Sequence, residues 1–218
     1  MDLFPLYLTF KVSVVATCFS VTIGLFLAWL MAKHDFFGKG LLDAIVMQPL
    51  VIPPTVLGYY LLVLLGRSSF LGRFLEDGLG ITLVFTWRGA VVAAVVASLP
   101  LFVKPARAAL EGVDKNIENA ARLLGKTEWE VWRTITLPLA WKGIVAGAVL
   151  SFARATGEFG ATLMVAGNIP GTTQTLPIAI YDAVQMGDTR LANTLVLIIT
   201  IFTLSVLYFV NRFTRGRY

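Results

Sequence analysis

Ala120-Ala121-Arg122-Leu123-Leu124-Gly125-Lys126-Thr127 reads A-x-x-x-x-G-K-T, a loose match to a phosphate-binding loop. Such a loop needs a strand before it and a glycine-rich turn whose backbone N–H groups cradle phosphate. Here the lead-in from Asn119 to Leu124 is helix-forming and no strand precedes it. Any ATP is therefore expected on a partner subunit, and this chain is expected to bind no cofactor. The second reactive pair is Arg154 and Glu158, four residues apart in an apolar run and so on one helix face. A charge inside a membrane costs a few kcal/mol or more unless paired or hydrated. Two compatible readings stand: a mutual ion pair that neutralises both, or Arg154 facing the path of an anion. Gly157 and Gly160 set small residues beside these charges and allow close contact or a bend. No catalytic set emerges. Cys18 is the only cysteine and His34 the only histidine, which excludes an internal disulfide and leaves no metal cluster. Cys18 is expected to be a packed thiol, and His34 a solvated or capping residue.

The elements that hold these residues are apolar. The 218 residues are 57% hydrophobic and 14% charged, with mean hydropathy +0.78. Soluble domains are about 25% charged, so this is an integral membrane protein. The net charge of +5 does not point to nucleic acid, because the basic residues cluster at the ends of apolar runs. The run from Val12 to Ala32 lacks a basic leader and is long enough to span, so it reads as a retained helix. Five spans are expected, at about 9–32, 42–65, 84–106, 138–166 and 191–211. Arg67 to Gly80 is a polar loop of amphipathic character. Leu176 to Val184 is too short to cross and reads as re-entrant or interfacial. One membrane domain over residues 1–218 is the simplest organisation.

Charge sets the expected orientation. With the N-terminus outside, the inner segments hold twelve cations: Lys33, Lys39, Lys104, Arg107, Lys115, Arg122, Lys126, Arg133, Lys142, Arg212, Arg215 and Arg217. The outer segments hold four: Arg67, Arg73, Arg88 and Arg190. This bias predicts the N-terminus outside and the C-terminus inside. Trp29, Trp87 and Tyr208 near span ends read as interface anchors.

The polar segment at about 114–137 is then cytoplasmic. Asp114 to Leu124 is expected to be a helix with Ile117, Ala120, Ala121 and Leu124 on one face. Gly125 ends it in the left-handed conformation. Thr127 and Glu130 fit a capping box, and Pro138 is expected to close the second helix and begin the next span. Glu118, Asn119, Ala120, Ala121, Gly125, Ile135, Leu137 and Pro138 resemble the E-A-A-x-x-x-G-x(9)-I-x-L-P loop of bacterial ABC importer permeases. The departure is Asn119 in the glutamate slot, with Glu118 one place earlier. The resemblance implies a loop that docks on an ATPase subunit and relays its closure.

Gln48-Pro49 and Pro53-Pro54-Thr55 should interrupt the second span, as a pathway wall or gate or as a structural kink. Gly143-Ile144-Val145-Ala146-Gly147 is a G-x-x-x-G motif that favours tight packing, weakly suggesting dimerisation. Gly157 to Thr162, Gly167-Asn168-Ile169-Pro170-Gly171 and Thr175-Leu176-Pro177-Ile178-Ala179-Ile180-Tyr181 are similar to the permeases of molybdate importers. Sulfate permeases share the first two patterns. The resemblance implies an all-α polytopic membrane protein of the type I ABC importer permease fold, working as a homodimer in the bacterial inner membrane. It implies two ATP-binding cassette subunits and an extracytoplasmic binding protein as partners. Molybdate or tungstate is the implied cargo, with sulfate or thiosulfate as the alternative. An ATPase-independent anion carrier would require inverted repeats, which the sequence does not display.

Overall fold

Lipid offers no partner to a backbone N–H or C=O, so an apolar chain must satisfy its backbone internally. The computed structural model describes residues 3–215, and those residues form helices and turns with no strand. The helices are α1 (Phe4–Lys33), α2 (Lys39–Met47), α3 (Pro54–Leu65), α4 (Phe70–Arg73), α5 (Trp87–Glu111), α6 (Lys115–Leu123), α7 (Glu128–Val131), α8 (Leu137–Thr156), α9 (Gly160–Ala166), α10 (Leu176–Gln185) and α11 (Thr189–Arg215). Arg217, counted above as an inner cation, lies outside the described residues.

Four helical stretches are long and apolar enough to cross a bilayer: Phe4–Lys33, Trp87–Glu111, Glu128–Thr156 and Thr189–Tyr208. The expected second span is not one straight helix. Lys39–Leu50 and Pro54–Leu65 meet at 113°, and only together do they make a fifth crossing. The cause is local. Pro54 occupies the first helical position of α3, which suits its missing N–H. It forces Pro53 out of the helical region, to φ −53° and ψ 136°. The expected fourth span is also divided. Its helix stops at Thr156, and α9 starts afresh at Gly160.

The core is built around α5, which buries Ala90, Ala94, Phe102, Val103 and Ala106 against α1 and α8, and Ala93 and Ala97 against α3 and α9. Small residues let helices approach where lipid supplies no hydrophobic drive. The G-x-x-x-G motif is spent inside the chain. A Cβ on Gly143 would lie 2.3 Å from Ala109 Cβ, and one on Gly147 would lie 2.8 Å from the Phe102 carbonyl oxygen. The motif therefore packs α8 on α5 rather than offering a dimer contact. Cys18 is exposed, not packed. Lys11 resolves its position in α1 by placing its ammonium 3.8 Å from the Trp87 ring centroid. At the other end of α1, Trp29 packs edge-on against His34 and Trp132, and the His34 backbone N–H caps the helix on Leu30.

Candidate functional site

The polar segment folds by local rules. Asp114 caps α6 by accepting the Asn116 N–H at 2.8 Å. At the far end Gly125 has φ +85°, its N–H donates to Arg122 O, and Lys126 N–H donates to Ala121 O. That pair of bonds satisfies carbonyls the helix leaves open. Thr127 then caps α7. Its N–H donates to Glu130 Oε2 at 2.7 Å, and Glu130 N–H donates back to Thr127 Oγ1 at 3.4 Å. Pro138 does not close this helix. Glu128–Thr156 runs on as 29 residues, because the turn Trp132–Thr136 widens to π spacing and Leu137 N–H donates to Trp132 O, five residues back. The wider turn relieves the clash between the proline ring and the carbonyl four residues earlier.

Of the four residues expected to share a face of α6, Ile117, Ala120 and Leu124 lie outward and Ala121 is buried. The other buried residue of α6 is Glu118, and Leu123 also faces outward. Leu123 and Leu124 are 89% and 84% exposed, and Trp129 on α7 is 68% exposed. Glu118 turns inward instead of joining that surface. Its Oε1 accepts from Lys33 Nζ at 2.7 Å and from Thr136 Oγ1 at 2.6 Å. Burial pushes its carboxyl up, but the Lys33 ammonium and the Thr136 hydroxyl outweigh burial and hold it below the ordinary carboxylate range. Asn119 faces outward and accepts from Arg122 Nη1 at 2.7 Å. Arg122 also forks onto Glu128, at 2.6 and 3.1 Å. Ile135 and Leu137 are half-buried, and Pro138 is exposed.

The remaining candidates meet among the apolar helices. Arg154 Nη2 lies 2.6 Å from Glu158 Oε2, so the mutual ion pair is present. It spans a break rather than one helix face. Arg154 sits in the last turn of α8, and Glu158 follows the helix end at Gly157. Glu158 Oε1 accepts the Ala161 N–H at 2.8 Å, at the start of α9. The cation thus lies at a helix C-terminus and the anion at a helix N-terminus, where the backbone dipoles favour each. This break abuts the other. A Cβ on Gly160 would lie 2.9 Å from Pro54 Cβ and 3.2 Å from Thr55 N, and one on Gly58 would lie 2.8 Å from Ala161 Cα. Pro53, Pro54 and Thr55 are exposed beside it.

Residues 20–216 match the family described as binding-protein-dependent transport system inner membrane component. The chain belongs to this family of permeases. The molybdenum transport system permease protein ModB of Escherichia coli K12 is 50% identical over 202 residues, covering 92% of this chain and 88% of that one. The sulfate transport system permease protein CysT of Salmonella typhimurium is 34% identical over 203 residues, covering 93% and 73%. A solved bacterial ABC transporter involved in alginate import shares the fold at TM-score 0.79 and 16% identity, covering 98% of this chain and 78% of its counterpart. This permease is a multi-pass membrane protein with the all-helical fold of ABC importer permeases.

Two residues of the permease escaped the sequence reading: Lys33 and Thr136, the partners of Glu118. Lys33 reads as one more flanking cation, and Thr136 as the variable position of I-x-L-P. Only the tertiary fold brings positions 33, 118 and 136 together.

Proposed function

We propose that this permease forms the membrane pathway of a molybdate importer. Two copies line the path, and the N-terminus faces outside. ATP is bound and hydrolysed on separate cassette subunits, and a binding protein delivers the oxyanion from outside. The carrying observation is the 50% identity to a molybdenum permease across nearly the whole chain, against 34% to a sulfate permease. The outward face of α6 and α7, with Leu123, Leu124 and Trp129 uncovered, supports docking of the cassette subunit there. The abutting breaks at Pro53–Thr55 and Gly157–Gly160, with Arg154 beside them, support a pathway wall at that level, since irregular backbone in a membrane occurs where it is covered or lines a cavity. ATP and the binding protein then move the pathway between inward and outward states through their differential affinity for each.

Gly125→Pro, or Ala121→Trp against the buried face of α6, should abolish uptake while insertion persists. Uptake at the unmodified level, at normal expression, would overturn the docking assignment. Labelled molybdate uptake challenged with excess tungstate or sulfate, with and without the binding protein, separates selectivity in the pathway from selectivity in the receptor. Anion movement by the reconstituted chain without any ATPase would replace this reading with that of a secondary carrier.

A further inference from the structure

One carboxylate oxygen joins three helices. Glu118 Oε1 on α6 accepts from Lys33, the last residue of α1, and from Thr136, the last residue of the π turn that leads into α8. The side chains of Lys33 and Glu118 are 18% and 4% exposed, so solvent screens the pair little. α6 has few other ties to the membrane helices, because Ala121 is its only other buried residue. Beside the joint lies a cavity of about 840 Å³, walled in part by Trp29 and Trp132. It leaves open space between α6 and α1 beside the tie. From Thr136, α8 runs unbroken for 20 residues to Thr156, roughly 30 Å at 1.5 Å per residue. Its last turn carries Arg154, whose partner Glu158 caps the start of α9, where Gly160 abuts Pro54. A push on α6 thus reaches α1 through this buried linkage, and reaches α8 both here and through the exposed Arg122–Glu128 pair on α7.

We propose that Lys33, Glu118 and Thr136 form the joint that carries movement of α6 to α1 and α8, with Glu118 as a positioning residue for transport. The proposal rests on α6 being the docking helix for the ATPase subunit. It assigns the polar segment two separate tasks: an outer face that holds the partner and an inner carboxylate that transmits.

The test uses the complete transporter in vesicles, with uptake and ATP hydrolysis measured on the same preparation. Lys33→Met and Glu118→Gln should retain the ATPase subunit and hydrolyse ATP, while transport per ATP falls about tenfold, the scale of an ordinary coupling energy. The exchanged pair Lys33→Glu/Glu118→Lys should recover most of that ratio, since a threonine hydroxyl accepts from a lysine as readily as it donates to a carboxylate. Thr136→Val should have a smaller effect in the same direction. A merely structural role would lower the amount of assembled transporter and leave transport per ATP unchanged in what remains. That result, or an exchanged pair no better than the single variants, overturns the joint. If Glu118→Gln does not accumulate, Lys33→Met alone decides, because it leaves the Thr136 bond in place. Failure of the unmodified chain to retain the ATPase subunit would instead sink the docking reading.

Discussion

The chain breaks its helices in two settings, at Gly125 in the polar segment and at Pro53 and Gly157–Phe159 among the apolar spans. At Gly125 every device lies within a few residues: a left-handed glycine, two backbone bonds to the preceding turn, and a capping box. Water can satisfy whatever these leave open, so the break stands alone. The intramembrane breaks carry no comparable set of local caps. They are stabilised by each other and by one charge pair that reaches from helix end to helix start. A break in water is thus a local property, and a break in lipid is a tertiary one. The two should respond differently to substitution.

The largest effect is expected at Glu158. Glu158→Ala removes the counter-charge of Arg154 and the acceptor of the Ala161 N–H together. Breaking a buried pair from one side typically costs 3–5 kcal/mol, and the Arg154 side chain is 27% exposed, so a cost of about 3 kcal/mol is expected. Thermal unfolding in detergent measures it. Arg154→Met/Glu158→Gln should recover most of the loss, because no charge is then stranded. If the double variant is as unstable as Glu158→Ala, capping of α9 outweighs the charge pair, and the intramembrane break is more local than argued.

Next comes Gly160→Ala. The added methyl would meet Pro54 Cβ at 2.9 Å and Thr55 N at 3.2 Å. Backbone on one side cannot yield cheaply, so the two breaks should be pried apart at about 1–3 kcal/mol, with uptake falling alongside stability. Gly40→Ala is the control. It meets nothing within 4 Å on α2 and should be neutral or slightly stabilising.

These differences match what could be read from the sequence. The Asp114 cap, the end of α6 at Gly125 and the Thr127–Glu130 box follow from residue types at fixed offsets. The proline break before α3 was equally legible. Its pairing with Gly160 was not, because positions 54 and 160 share no local pattern. Gly157 and Gly160 signalled close contact or a bend, but not a full stop at Thr156, because glycine is common in membrane helices. Pro138 misled in the opposite direction: a π turn absorbed a residue that normally ends a helix. Helical spacing grouped Ile117, Ala120, Ala121 and Leu124 on one face without saying which face of α6 turns inward. The buried Glu118 took the inward place because Lys33 and Thr136 satisfy it, and apolarity alone gives no sign of such a partner.

A smaller effect, of a different kind, is expected at Gly125. Gly125→Ala meets nothing within 4 Å, yet φ is +85°. The cost is conformational, about 1 kcal/mol, and Gly125→Asn should cost less because asparagine visits this region. A cost at Gly125 larger than at Gly160 would reverse the contrast between the two settings.

The smallest effect is one of pH, and it tests whether the joint at Glu118 behaves as a buried pair or as a surface one. Lys33 faces Glu118 from α1, Thr136 faces it from the π turn, and Arg122 acts on it from α6 itself. His34, Asp35, Lys115 and Glu128 line the same cavity. Burial opposes the charge, the Lys33 and Thr136 hydrogen bonds prevail, and the carboxyl is held below its ordinary value. A depressed carboxylate contributes its full stabilisation above the unfolded value of about 4.3 and loses it as pH falls through the lower folded value. Protection of the α6 amides against hydrogen exchange, corrected for intrinsic rates, should therefore stay flat from about pH 8 to pH 5 and fall only in stronger acid. In Glu118→Gln the acid-dependent fall should vanish from a baseline that is already lower. A step between pH 5 and 8 that persists in His34→Gln would mean that Lys33 does not hold the carboxylate as the geometry implies, and that α6 is tied to the membrane helices by its alanine face alone.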